Sequence, residues 1–102
     1  MNVSQEEAIV SDWTLTQLHI VAVIKEKGKA NNIMLSEILN VSKPAITKAV
    51  KKLLEHNILE KKHNKKIIKK EVYYLLTKSG EMLALIHNRL HEQAKKSLFK
   101  YL

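Results

Sequence analysis

Cysteine is absent from the 102 residues, so no disulfide framework, thiol nucleophile or thiolate metal ligand is available. Glycine occurs twice, at Gly28 and Gly80, which excludes a glycine-rich loop of the kind that cradles phosphates. No acid pair or Ser/His/Asp grouping falls on a turn in the manner of a nucleophile elbow, and an enzyme is not expected. The longest apolar run, residues 20–24, is far too short to span a bilayer. No charged-then-apolar signal segment opens the chain, so a cytoplasmic protein without membrane contact is the expectation. Acidic residues are also scarce, ten against eighteen basic ones.

That imbalance is localised. Between Lys43 and Lys70 there are ten lysines against only Glu55 and Glu60, which accounts for the entire formal charge of +8. A charge run is often no more than a solvated face. A large, segregated basic excess instead favours a polyanion, because lysines meeting phosphates release condensed counterions. A membrane surface is the other polyanion, but the segment lacks the Trp/Phe/Leu face of an interfacial helix.

With 45% apolar residues, the chain can bury a small core as one domain over residues 1–102. Ser4 and Glu7 form a capping-box pair opening a short helical arm within residues 1–12. Thr14 and Gln17 repeat the signature before a second helix, with Leu15, Leu18, Val21, Ala22 and Lys25 on one face and Gly28 as its left-handed end. Asn31 or Asn32 caps a third helix over 33–39, ended by Asn40. In 41-VSKPAITKAVKKLLEHN-57, Ser42 is the N-cap and Pro44 sits in the first turn, where its missing N–H costs nothing. Ile46, Ala49, Val50, Leu53 and Leu54 make the buried stripe of this helix, and Lys43, Thr47, Lys48, Lys51 and Lys52 project from the other side. Two strands follow, 58–63 and 68–76, joined by a polar turn near 64–67. A long helix over 78–102 carries the stripe Leu83, Ile86, Leu90, Ala94, Leu98 and Leu102.

The fold expected is mainly α with a small β-hairpin: a winged helix-turn-helix with a long C-terminal helix. The basic window then becomes a recognition helix, 43–56, and a basic wing, 58–76. Such a helix enters the major groove N-terminus first, while the wing lies along flanking phosphates or the minor groove. Ser42, Lys43, Ala45, Thr47 and Lys48, nearest that N-terminus, are the candidates for groove contact. Lys51 and Lys52, with Lys65, Lys66, Lys69 and Lys70 of the wing, are the candidate phosphate contacts, which set register and affinity. The alternative is a winged-helix module that binds protein without specific DNA binding; its lysine-rich face argues against that, since interface cores are depleted in lysine.

Three short words of sequence resemble the MarR family of transcriptional regulators. They are 14-TLTQLHIVAVI-24, similar to the family's T-x-x-Q helix start; 42-SKPAITKAVKKLLEHNIL-59, similar to its recognition helix and the G-L-I leading to the wing; and 76-LTKSGEML-83, similar to its L-T-x-x-G-x-x-L. The resemblance implies a DNA-binding regulator, a repressor in function, acting on double-stranded DNA as a homodimer. It implies dimerisation through residues 4–10 and 82–102, although only the first of the family's two C-terminal helices is present. The wing departs from the family's Asp-x-Arg, with Ile68 and Lys70 at those places.

The five histidines include His87 and His91, four residues apart on the last helix, a spacing that can present two imidazoles to one zinc or merely decorate a solvated face. The zinc-responsive branch of the family has a histidine two residues after the glutamine of the second helix, and two more ten and fourteen residues beyond the threonine of L-T. Those offsets select His19, His87 and His91. The resemblance implies a fourth ligand from a glutamate of the N-terminal helix, Glu7 or Glu6. That branch's second site, with a cysteine and further glutamates, is not expected here, since cysteine is absent and Ile86 replaces a glutamate. Without zinc, the cleft would take a small-molecule effector or none.

Overall fold

The computed structural model describes residues 3–63 and 72–100, with side chains described for 5–63 and 72–92. The order is α1 (Val3–Ser11), α2 (Leu15–Lys27), α3 (Asn32–Leu39), α4 (Lys43–Glu55), β1 (Leu59–His63), β2 (Val72–Leu76) and α5 (Lys78–Lys100). This is the winged helix-turn-helix expected from the sequence.

Local signals account for most boundaries. Thr14 and Gln17 make a reciprocal capping box at α2: the Gln17 amide donates to Thr14 Oγ1 at 3.2 Å, and the Thr14 amide to Gln17 Oε1 at 2.9 Å. Gly28 ends α2 at φ 86°, its N–H reaching Ile24 O at 2.7 Å. Asn31 caps α3 through Met34 N at 2.8 Å, and Asn40 closes it in the left-handed region at φ 54°. Ser42 caps α4 by accepting from Ala45 N at 3.3 Å. Asn57, standing where the resembled word has glycine, adopts φ 58° to swing the chain from α4 into the wing. α1 runs from Val3 to Ser11, and the side chain of Ser4, expected to pair with Glu7 at its start, lies outside the described residues.

The core gathers Ile20, Val21 and Ile24 of α2, Leu35 of α3, Ile46, Val50 and Leu53 of α4, Tyr74 of β2 and Leu83 of α5. Here α2 departs from expectation. Leu18 and Val21 are buried, but Leu15, Ala22 and Lys25 are exposed, while Gln17, Ile20, Val23 and Ile24 are buried instead. The cause is position: α2 packs against α3, α4, α5 and β2, so it needs apolar residues around most of its circumference rather than along one stripe. On α4 the expected stripe is buried except Leu54, which is half-buried.

β1 and β2 pair antiparallel from Leu59↔Leu76 to His63↔Val72. The expected 64–67 turn and the first residues of the second strand lie outside the described residues. A short third edge was not anticipated: Ala30, in the α2–α3 connection, exchanges both backbone hydrogen bonds with Tyr74, at 2.8 and 3.2 Å. It ties the wing's root to the helix-turn-helix. Two residues then explain the L-T-x-x-G word. The Thr77 hydroxyl accepts from Gly80 N at 3.0 Å, capping α5, and donates across to the carbonyls of Asn57 and Ile58. A Cβ on Gly80 would sit 2.2 Å from Ile58 O, so only glycine lets α5 lie this close to the wing's root.

Candidate nucleic-acid interface and the histidine cavity

On α4 the buried stripe and the charged face are fully separated. Ser42, Lys43, Ala45, Thr47, Lys48, Lys51 and Lys52 are all exposed, and Ile46, Ala49, Val50 and Leu53 are all buried. An amphipathic helix of this kind buries one side in its own domain and offers the other to a partner. Lys43, Thr47, Lys48 and Lys51 face outward as the sequence suggests. Lys52 turns back instead: its ammonium lies 3.3 Å from Asp12 O and 5.2 Å from the ring centre of Trp13, which also meets the His56 ring edge-on at 5.3 Å. This cluster fixes the α1–α2 corner against the end of the recognition helix.

Beside α4, the N-terminus of α2 leaves a cleft of about 430 Å³ lined by Thr14, Thr16, Gln17, Ala45 and Lys48 among others. The buried Gln17 spans its floor, with Nε2 3.5 Å from Ala49 O. Thr47 is held at both sides: its hydroxyl lies 3.0 Å from Lys43 O, one turn back, and 3.0 Å from Asn32 Nδ2 of α3. The sequence offered Asn32 only as an alternative cap for α3; Asn31 takes that role, and Asn32, at the first position of the helix, is left to reach Thr47. On the wing, Lys61 and Lys62 of β1 are exposed and add to the basic surface. Lys65, Lys66, Lys69 and Lys70 lie outside the described residues.

The second site is a cavity of about 450 Å³ between α2 and α5, lined by Leu15, His19, Ala22, Leu85, His87 and His91 among others. The outward face of α2, apolar at Leu15 and Ala22, therefore has a surface to line. The Lys25–Glu81 ion pair bridges the same two helices. His87 is half-buried and His19 and His91 are exposed. Burial holds the His87 imidazole below its ordinary range, assisted by the nearby His91 and then His19. The His87 and His91 rings stand 6.1 Å apart, centre to centre.

The structure thus brings all three histidines to one cavity, and a set of neutral imidazoles is a zinc-type donor set. Their placement does not complete a site. Among the described residues, no three of His, Cys, Asp and Glu are grouped closely enough to hold a metal ion. Glu7 is exposed and does not line the cavity. Glu6 is the glutamate that α1 buries, at 2% exposure, and its Oε1 is 3.0 Å from the Arg89 guanidinium of α5. That carboxylate docks α1 onto α5.

A basic helix behind a short turn, followed by a hairpin wing, on the five helices of the described residues defines the winged helix-turn-helix class. The chain belongs to the MarR family, whose model matches residues 13–66. It is 51% identical to the HTH-type transcriptional regulator YvnA of Bacillus subtilis, over 83% of this chain and 54% of that protein. It is 25% identical to the HTH-type transcriptional regulator PchR of the same organism, over 97% of this chain and 58% of PchR. The chain therefore spans little more than half the length of these curated relatives. Among solved structures, the adhesin competence repressor AdcR of Streptococcus pyogenes superposes with a TM-score of 0.76 at 27% identity, covering 88% of this chain and 66% of AdcR. A ZitR variant of Lactococcus lactis in complex with DNA superposes with a TM-score of 0.74 at 28% identity, covering 86% of this chain and 59% of ZitR. Members of this family are transcriptional regulators rather than enzymes. No helix among the described residues is long and apolar enough to cross a membrane.

Proposed function

We propose that this chain is a DNA-binding transcriptional regulator that engages duplex DNA as a homodimer, placing α4 in the major groove and the wing along the flanking backbone. The observation that carries this is the outward lysine–threonine face of α4, joined to a wing sequence that carries six further lysines. The ZitR relative solved with DNA supports it. Dimerisation through α1 and α5 would space two recognition helices about one DNA turn apart, roughly 34 Å. The expected tests are two substitutions. Lys48→Ala should lower affinity and relax sequence preference, whereas Lys66→Ala should weaken all duplexes alike and reduce the salt slope by about one. Titrations of both variants at two salt concentrations that match the wild type would remove the assignment. A wild-type protein with no salt-dependent binding to any duplex would favour the protein-binding alternative.

A second reading concerns an effector. His19, His87 and His91 border one cavity at the offsets that the zinc-responsive resemblance implies, which supports zinc as the ligand class. Bound there, zinc would supply a cross-link between α2 and α5, linked to DNA affinity through the dimer geometry. As placed, the three imidazoles do not converge, so binding would require a different arrangement of these side chains. If zinc affinity, measured by competition with a chelating dye, is unaffected by His19→Ala and by His87→Ala, this reading is wrong.

A further inference from the structure

Thr47 stands on the exposed face of α4, among the residues proposed to meet base edges, and its hydroxyl is already engaged twice. It lies 3.0 Å from the Lys43 carbonyl, to which it donates, and 3.0 Å from Asn32 Nδ2, from which it accepts. A hydroxyl has one proton and two lone pairs. With the proton committed to Lys43 O and one lone pair taken by Asn32, a single lone pair is left to face outward. We propose, on the basis of the DNA-binding reading above, that Asn32 is a positioning residue for sequence recognition. By donating to the Thr47 hydroxyl it holds the rotamer in which the threonine proton goes to the Lys43 carbonyl, and so leaves Thr47 a hydrogen-bond acceptor able to read the exocyclic amino group of adenine or cytosine in the major groove.

Either orientation of the Asn32 amide leaves Thr47 an outward acceptor. Turned by half a turn, Asn32 would offer Oδ1, and the threonine proton would go either there or to Lys43 O. Both acceptors lie inside the protein. The frame around the pair is rigid. Asn32 is half-buried in the first turn of α3, directly after the Asn31 cap; its Oδ1 is removed from solvent without a hydrogen-bond partner of its own, so its amide is held through Nδ2 and packing. Thr47 is β-branched and sits mid-helix, so its χ1 has few alternatives. A free threonine hydroxyl can rotate to donate or to accept, and so tolerates either kind of base edge. A clamped one cannot. Asn32 therefore adds discrimination without adding charge and without touching the DNA.

The test starts from a duplex enriched by the wild-type protein from a randomised pool. Adenines and cytosines in it are replaced one at a time by purine and 2-pyrimidinone, which lack the exocyclic amino group. At one position per half-site the wild type should lose about three- to tenfold in affinity, the range of one hydrogen bond. In Thr47→Val that penalty should vanish. In Asn32→Ala it should fall below about twofold, while affinity for random duplex stays as in the wild type. In the double variant, Asn32→Ala should add nothing at that position. A full penalty retained in Asn32→Ala, or in Thr47→Val, overturns the proposal. Melting curves of each variant check folding; should Asn32→Ala not fold, the position-specific loss in Thr47→Val decides whether Thr47 acts as the acceptor. A wild type that binds no duplex would instead bring down the DNA-binding reading itself, a result distinct from loss at one base.

Discussion

Replacing Gly80 by alanine offers a sharp test of how α5 is seated. In most helices, glycine to alanine stabilises by up to about 1 kcal/mol, because alanine loses less backbone entropy. Here the added Cβ would lie 2.2 Å from the Ile58 carbonyl oxygen and 3.2 Å from Leu76 Cβ and Cδ2. Ordinary C···O contacts are about 3.3 Å or longer, so roughly 1 Å of relief is needed. The nearest atom is backbone, pinned by the Thr77 hydroxyl and by the Ile58 amide's hydrogen bond to Leu53 O at 2.9 Å. Overpacking of this kind costs about 1–3 kcal/mol, occasionally more. Setting the smaller propensity gain against it leaves a net loss of about 1–2 kcal/mol, out of a total stability of roughly 5–15 kcal/mol. For a domain of this size that corresponds to a drop in Tm of about 4–16 °C, followed by circular dichroism. Gly28→Ala is the useful comparison: nothing lies within 4 Å of its added Cβ, and only the positive φ of 86° is strained. That strain should cost about 1–2 kcal/mol. A Gly80→Ala protein melting at or above the wild-type temperature would refute the close approach of α5 to the wing's root.

Thr77→Val should destabilise by about 1–2 kcal/mol in urea unfolding, since it removes the α5 cap and the link to the wing together. Arg89→Met, which strands the buried Glu6 carboxylate, should be more destabilising than Glu6→Gln in the same assay; the reverse order would mean the pair does not seat α1. His87 favours its neutral form in the folded state, so its contribution to stability is complete above about pH 6.5, the ordinary histidine value. That contribution should be lost as pH falls through the depressed folded value, and His87→Gln should flatten this part of the stability profile; an unchanged profile would count against the burial.

Much of this was legible from residue order because the signals are local. Capping needs an oxygen three residues from an amide, so Thr14, Asn31 and Ser42 announce α2, α3 and α4 without reference to anything distant. Period and charge separate the two sides of α4 just as locally. The histidine offsets placed His19, His87 and His91 around one cavity, although whether they meet at an ion was never a matter of spacing along two different helices.

What the chain order could not reveal was which neighbours each face would meet. The burial of Gln17, Ile20, Val23 and Ile24 follows from α2 packing against α3, α4, α5 and β2, a fact of assembly. Glu6 rather than Glu7 is buried because α1 crosses α5 beside Arg89. Lys52 folds back on Trp13 because the α1–α2 corner happens to lie there, and Asn32 reaches Thr47 only across the helix-turn-helix angle. Sequence by itself determined where α2, α3 and α4 begin, which face of α4 is basic, and which family the chain resembles, since all of these rest on residues within a few positions of one another. Tertiary structure alone decided which polar groups are already spent on the protein and which are left for a partner, because a hydrogen bond between residues 15 positions apart exists only once the helices have packed.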